Sequence, residues 1–264
     1  LIMNLQDFFD KDAGISRFDS DEFKEILNFT KELPENYPTD YKGMASDVLS
    51  GKNLVSELVN LSTFGEAALY ESLFNGKQAY KGIPCAGRNG NILAMPIQLA
   101  MNTSCENKDA AWSFMRTLLT EEFQSEITDQ FPTNMKVFDA FAQEAMREPT
   151  EDDIVKFVYY SVNGNIWRDP TEHEWTAAGK QPKMVAYYVD AMFMPLNTIN
   201  CYELSENGYE TLTRMIDGID KSISYDVTII TIIAEETGSF FSGQKTVDQV
   251  CDAIQSRVNI YVNE

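Results

Sequence analysis

The stretch Ile232-Ile-Ala-Glu-Glu-Thr-Gly-Ser-Phe-Phe-Ser-Gly-Gln-Lys-Thr-Val-Asp-Gln-Val250, with Ile254-Gln-Ser-Arg-Val-Asn-Ile-Tyr-Val-Asn-Glu264 after it, carries the clearest structural signal in the chain. Thr246 and Gln249 have the spacing of a capping box: the Thr hydroxyl accepts from a backbone N–H and the Gln amide reaches back. Val247, Val250, Ile254, Val258 and Tyr261 then recur at three- and four-residue steps and form the inner face of a final helix. Tyr225 to Thr237 reads as the helix before it. The end of the chain is therefore a pair of helices.

Moving outward, other helices follow the same logic. Asp19 or Ser20 can cap a helix in which Phe23, Ile26 and Leu27 share a face, and Pro34 and Pro38 stop it. Residues 63–74 read as helix, ending at Asn75-Gly76. Asn107-Lys-Asp-Ala-Ala-Trp112 opens a long helix whose stripe is Trp112, Met115, Leu119, Phe123 and Ile127, with Trp112 packed inward. Phe131-Pro-Thr-Asn134 ends it, and Val137-Phe-Asp-Ala-Phe141 adds a turn or two. Ser205, Gly208 and Tyr209 open a helix carried by Leu212, Met215, Ile216 and Ile219. Residues 52–61 are strand-like, 80–85 extended, 87–91 a turn and 92–101 a strand with partial alternation. Residues 150–204, with Trp167, Trp175 and many Tyr, Asn and Pro, show no clear period.

The 264 residues include 21 Lys and Arg against 41 Asp and Glu, a formal net charge of −20. That balance excludes a nucleic-acid binder, which needs clustered cations for phosphates, and docking on an anionic membrane. Hydrophobic residues at 44% supply a core, so the charge does not imply disorder. No run approaches the roughly 20 apolar residues that span a bilayer. Cys85, Cys105, Cys201 and Cys251 form no CxxC, and His173 is the single His, so no zinc site is expected and the thiols read as free and mostly buried. One His also removes most Ser-His-Asp and Cys-His triads. Gly87-Arg-Asn-Gly90 lacks the Lys-Ser/Thr of a phosphate loop. No metal or cofactor is implied. Glu235-Glu236 invite comparison with glycosidase carboxylates, but neighbours on a helix point about 100° apart.

Three stretches together resemble the C-terminal part of an extracellular solute-binding protein of a bacterial ABC importer, of the family that binds sugars and oligosaccharides. They are Ser50-Gly-Lys-Asn-Leu-Val55; Ile92-Leu-Ala-Met-Pro-Ile-Gln-Leu-Ala-Met-Asn-Thr-Ser104 with the helix from Asn107 and Phe131-Pro-Thr-Asn-Met-Lys-Val-Phe138; and the closing helix pair. The last is similar to lipoprotein-type members. The resemblance implies a helix-rich α/β fold, type II periplasmic-binding-protein-like and incomplete. Residues 1–91 would be the first part of the C-terminal lobe, 92–142 a returning segment of the N-terminal lobe, and 143–264 the helical remainder of the C-terminal lobe. It implies a monomeric, non-enzymatic protein that captures a sugar or oligosaccharide by lobe closure and hands it to ABC permease subunits. Leu1 reads as a cut end, with an export signal and lipid anchor upstream and an extracellular location at the cell envelope.

Sugar binding needs aromatic faces for ring C–H groups and amide, carboxylate or guanidinium groups for hydroxyls. The resemblance nominates Phe64 as a second-lobe aromatic, Tyr225 and Asp226 at the start of the penultimate helix, and Arg88, Asn89 and Asn91 in the glycine-rich turn. Trp167 and Trp175 join them as aromatics in a polar region. Each also has a structural reading. Phe64 can be core, Tyr225 and Asp226 a helix start, Arg88 and Asn89 turn residues, and the two Trp the packing of a long loop. A carbohydrate-active enzyme and a non-binding interaction domain are the competing functional classes.

Overall fold

Ser20, Thr63, Asn107, Thr120, Asn134, Ser205, Asp226 and Thr246 each accept a hydrogen bond from a backbone N–H two or three residues on, and a helix begins after each. Local side-chain chemistry thus sets these starts by satisfying donors that the first helical turn leaves open. The structure, a computed structural model, describes residues 2–33, 61–83, 89–95, 98–150, 152–161, 164–168, 180–189, 195–223 and 225–264. Among them it is helix-rich with small sheets. The chain divides into two compact units, one of Leu1–Pro38, Lys81–Pro96 and Gly218–Glu264, the other of Thr39–Tyr80 and Ile97–Asp217. The changeovers fall at 38/39, 80/81, 96/97 and 217/218.

The first unit begins with a short 3-10 helix, Ile2–Asp7, and a small hairpin of β1 (Phe9–Asp10) and β2 (Ile15–Ser16). Helix α1 spans Asp21–Glu32 and stops one residue short of the position before Pro34, where helical backbone is disfavoured. Phe8, Phe18 and Phe23 pack with ring centroids 5.0–5.9 Å apart. They join the buried faces of the last two helices, Ile229, Ile232, Ile233 and Phe240 on one and Val250, Ile254 and Val258 on the other. Between those helices Ser242 caps the first. Gly243 takes φ 74°, and Gln244 N–H donates to Ser239 O (2.9 Å), a left-handed stop that glycine adopts without steric cost. Gln255 ties the hairpin down: its Oε1 accepts from Phe18 N (2.7 Å) and its Nε2 donates to Ser16 O (3.1 Å).

The second unit contains α2 (Phe64–Leu73), α3 (Lys108–Thr117), α4 (Glu121–Ser125) and α5 (Met135–Met146). Next come the strands β4 (Lys156–Ser161), β5 (Gly164–Arg168), β6 (Met184–Val189) and β7 (Pro195–Cys201), then α6 (Glu206–Asp217). The strand order is β5-β4-β6-β7, with β4 and β6 parallel and both outer pairs antiparallel. Pro195 opens the edge strand β7, a position where its missing N–H breaks no ladder. Val158, Val185 and Ala186 are buried, and α2 lies against β7. Gln124, 5% exposed, closes the loop before α5 by donating to Leu118 O and Thr133 Oγ1 and accepting from Asn134 N.

Several expectations change. The long helix from Asn107 is two helices, because Thr120 Oγ1 accepts from Phe123 N (3.3 Å) and starts a new one. Its stripe is not packed: Trp112 is 49% exposed, Leu119 54% and Phe123 40%, and α3 buries no residue. The strand expected over 92–101 is paired only at β3 (Ile92–Leu93), among the described residues, where it runs parallel to β8 (Lys221–Ser222). Among the described residues of 150–204, where no period was legible, the structure forms a four-stranded sheet. The turn or two at Val137 is the twelve-residue α5, and Ile219 lies beyond α6. The last pair, α7 (Val227–Phe241) and α8 (Val247–Val262), follows the sequence reading, capping box included. Cys201 and Cys251 are free and buried, and Cys105 is free and partly exposed; Cys85 lies outside the described residues. Among the described residues no helix is long and apolar enough to cross a membrane.

Candidate functional site

Gly90 sits at φ 74°, and Ile83 N–H donates to its carbonyl at 2.8 Å. A Cβ on Gly90 would lie 1.9 Å from Ile83 O, and one on Gly82 2.0 Å from Gly90 C, so two backbones touch where only glycine fits. This contact presents Asn89. Its Oδ1 accepts from Asn91 N (2.9 Å) and its Nδ2 donates to Gly218 O (2.5 Å). The β3–β8 pair continues the connection, and Ile223 N–H donates to Leu93 O at 2.8 Å. Lys221, its side chain 5% exposed, donates to Asn4 Oδ1 (2.7 Å) and pairs with Asp7 (3.3 Å). Asn89 therefore spends its amide on the backbone, as the turn reading implies.

A second group forms at the start of α7. Asp226 Oδ1 accepts from Ile229 N (3.0 Å), capping the helix, and Oδ2 accepts from Tyr261 OH (3.1 Å). Lys11 Nζ donates to that hydroxyl at 2.9 Å and lies 4.1 Å from the Tyr261 ring centroid. The hydrogen bond to Tyr261, with the charge of Asp226 behind it, holds the Lys11 ammonium above its ordinary range. Tyr225, next along the chain, is 62% exposed. Tyr225 is thus an exposed aromatic adjacent in sequence to a hydrogen-bonded Lys11–Tyr261–Asp226 chain. Lys11 and Tyr261 were not candidates from sequence. Tyr261 shows only as an inner-face residue, and nothing local links Lys11 to a residue 250 positions away.

The other candidates separate. Phe64 is 4% exposed, edge-on to Phe131 at 5.1 Å and to Phe138 at 4.8 Å. The Thr63 cap fixes it as the first helical residue, pointing into the core, and no ring face is open to a sugar. Trp167 is on β5 opposite Val158. Arg88, Trp175, His173 and the strand-like 52–60 lie outside the described residues. Asn89, Asn91, Tyr225 and Asp226 belong to the first unit, Phe64 and Trp167 to the second.

Glu235 and Glu236 are drawn to one group despite their different directions on α7. Arg257 donates to Glu235 Oε2 (2.6 Å) and Glu236 Oε1 (2.8 Å), fastening α8 to α7. In the second unit Arg147 donates to both Glu144 and Asp153, and with Thr150 holds the Asp153 carboxyl far below the usual carboxylate range. Lys180 pairs with Glu203 and Glu148. Lys183, partly desolvated, is held below its ordinary range. These charges are mutually paired. Among the described residues no group of three or more His, Cys, Asp or Glu side chains could hold a metal ion. No known protein family and no curated protein matches the chain.

Proposed function

We propose that this chain belongs to the solute-capturing component of an ABC importer, taking a sugar or oligosaccharide between two lobes that close around a hinge. The observation that carries the reading is the interleaving of two compact units by four changeovers of the chain, each unit with its own core. The similarity of the closing helix pair to lipoprotein-type binding proteins supports it further. Tyr225 is the aromatic contact in this reading, with the Lys11–Tyr261–Asp226 relay beside it. The protein works as a monomer at the outer face of the cell envelope, delivers to permease subunits, and catalyses nothing. An enzymatic role for Glu235 and Glu236 finds no support, since both are engaged by Arg257.

The test is a thermal-shift screen with mono- and oligosaccharides. A ligand that binds only the native state at about 100 times its Kd stabilises by about 2.7 kcal/mol, an easily read shift. A sugar that raises Tm for wild type and loses at least tenfold in affinity with Tyr225→Ala supports the reading. No shift with any sugar counts against it, and turnover of a labelled glycan overturns its non-enzymatic part.

A further inference from the structure

We propose that the outer face of α3 and α4 docks a cationic amphipathic helix of another protein. Docking here is independent of what the chain captures. Three apolar side chains follow one another and stay in water: Trp112 on α3, Leu119 in the turn after it and Phe123 on α4. Met135, the first residue of α5, is exposed as well. Several exposed apolar groups in one row mark an interaction surface, since water gains when they are covered. From 112 to 123 the row spans roughly 16 Å, about three helical turns, which suits a helix laid along it.

The row is held in place by buried polar contacts. Gln124 Nε2 donates to Leu118 O (3.0 Å) and Thr133 Oγ1 (2.7 Å), and its Oε1 accepts from Asn134 N (2.7 Å). Asn134 Nδ2 donates to Leu119 O (3.1 Å), and Lys136 Nζ pairs with Glu121 (2.7 Å). The backbones that carry Leu119, Phe123 and Met135 are thereby tied together. Groups presented from a fixed backbone lose little freedom on binding.

Charge selects the occupant. Residues 106–129 hold six Asp and Glu against Lys108 and Arg116. Lys108 turns its ammonium onto Thr103 O and Cys105 O. Glu122 and Glu126 flank Phe123, one residue before it and three after, and among the described residues neither has an ion-pair partner. Like charges four residues apart on a helix repel. A helix with one apolar and one Lys- or Arg-rich face covers the row and relieves that repulsion together. A second copy would bring the same carboxylates within a chain of net charge −20, and an anionic membrane surface would repel them.

The test is fluorescence anisotropy of a labelled helical peptide of about 18 residues, Leu on one face and Lys on the other, titrated with the whole chain. It should bind at least about tenfold more tightly than a scrambled peptide of the same composition, and a Leu/Glu counterpart should not bind. Glu122→Lys with Glu126→Lys should weaken binding about tenfold. Glu25→Lys with Glu32→Lys, the same change of charge on α1, should not. Leu119→Ser should also weaken it about tenfold with little change in Tm, whereas Phe29→Ser, at an exposed apolar position on α1, should not. No binding, equal binding of the scrambled peptide, or equal losses from the two charge pairs would overturn the proposal. So would a dimer in sedimentation that Leu119→Ser dissolves, which makes a second copy the occupant. Binding to neutral lipid vesicles that Trp112→Ser abolishes would overturn it in favour of a membrane.

Discussion

Helices α3 and α8 begin alike and end differently. Asn107 and Thr246 cap them with the same kind of hydrogen bond, and both show apolar residues at three- and four-residue steps. In α8 that stripe is sealed, with Val250, Ile254 and Val258 at 0% exposure against α1 and α7. From α3 through the turn after it to α4, Trp112, Leu119 and Phe123 remain 40–54% exposed. Periodicity states that a helix owns an apolar face. It does not state that a partner exists to cover it, and only covered area contributes, at roughly 25 cal/mol per Å².

The strongest way to break the comparison is to empty each stripe. Ile254→Ala should cost about 3 kcal/mol in urea unfolding, through lost burial and the cavity left behind. A cost no larger than that of an exposed-stripe substitution would end the distinction. Alkaline pH probes the same contrast through the thiols. Burial pushes Cys201 up to about 12 and Cys251 up to about 11, above the unfolded value near 8.5. The folded state therefore keeps protons that the unfolded state releases. Stability is fully present below about pH 8.5 and falls above it, by at most about 1.4 kcal/mol per pH unit per thiol. Unfolding under reducing conditions at pH 8 and 10 reads this, and Cys251→Ala should flatten the slope. With a thiol reagent at pH 8, Cys105, just before α3, should react well before Cys251 on α8.

Caps should behave alike in both regions, since they act within one turn. Thr246→Ala and Thr120→Ala should each cost about 1 kcal/mol, by denaturant midpoint. A far larger effect at Thr246 would show that its hydroxyl does more than cap. Smallest is the exposed stripe itself. Leu119→Ser should change stability by no more than about 0.5 kcal/mol, because the residue is already half in water.

Legibility in the sequence followed the range of the interactions. Ser20 and Thr246 announced their helices because a cap and its target are three residues apart. Thr120 carried the same signal before Glu121 and Glu122, but it was lost inside a stripe that runs unbroken in sequence. The sheet of β4 to β7 was illegible because its strands are unequal in pattern and their pairing joins residues 156–161 to 184–189. Of the candidate site, Asp226 was visible as a helix start. Its relay was not, because Lys11 and Tyr261 come from opposite ends of the chain.

By itself, the amino-acid order determined where most helices start and stop, which faces are apolar, and a net charge of −20. Those depend on contacts a few residues long and on summed charge. Tertiary structure alone decided which apolar faces are covered, that Phe64 is core and Tyr225 exposed, that Glu235 and Glu236 share Arg257, and that Asn89 reaches Gly218. Each of these joins segments far apart along the chain, and no local pattern records the distance that folding closes.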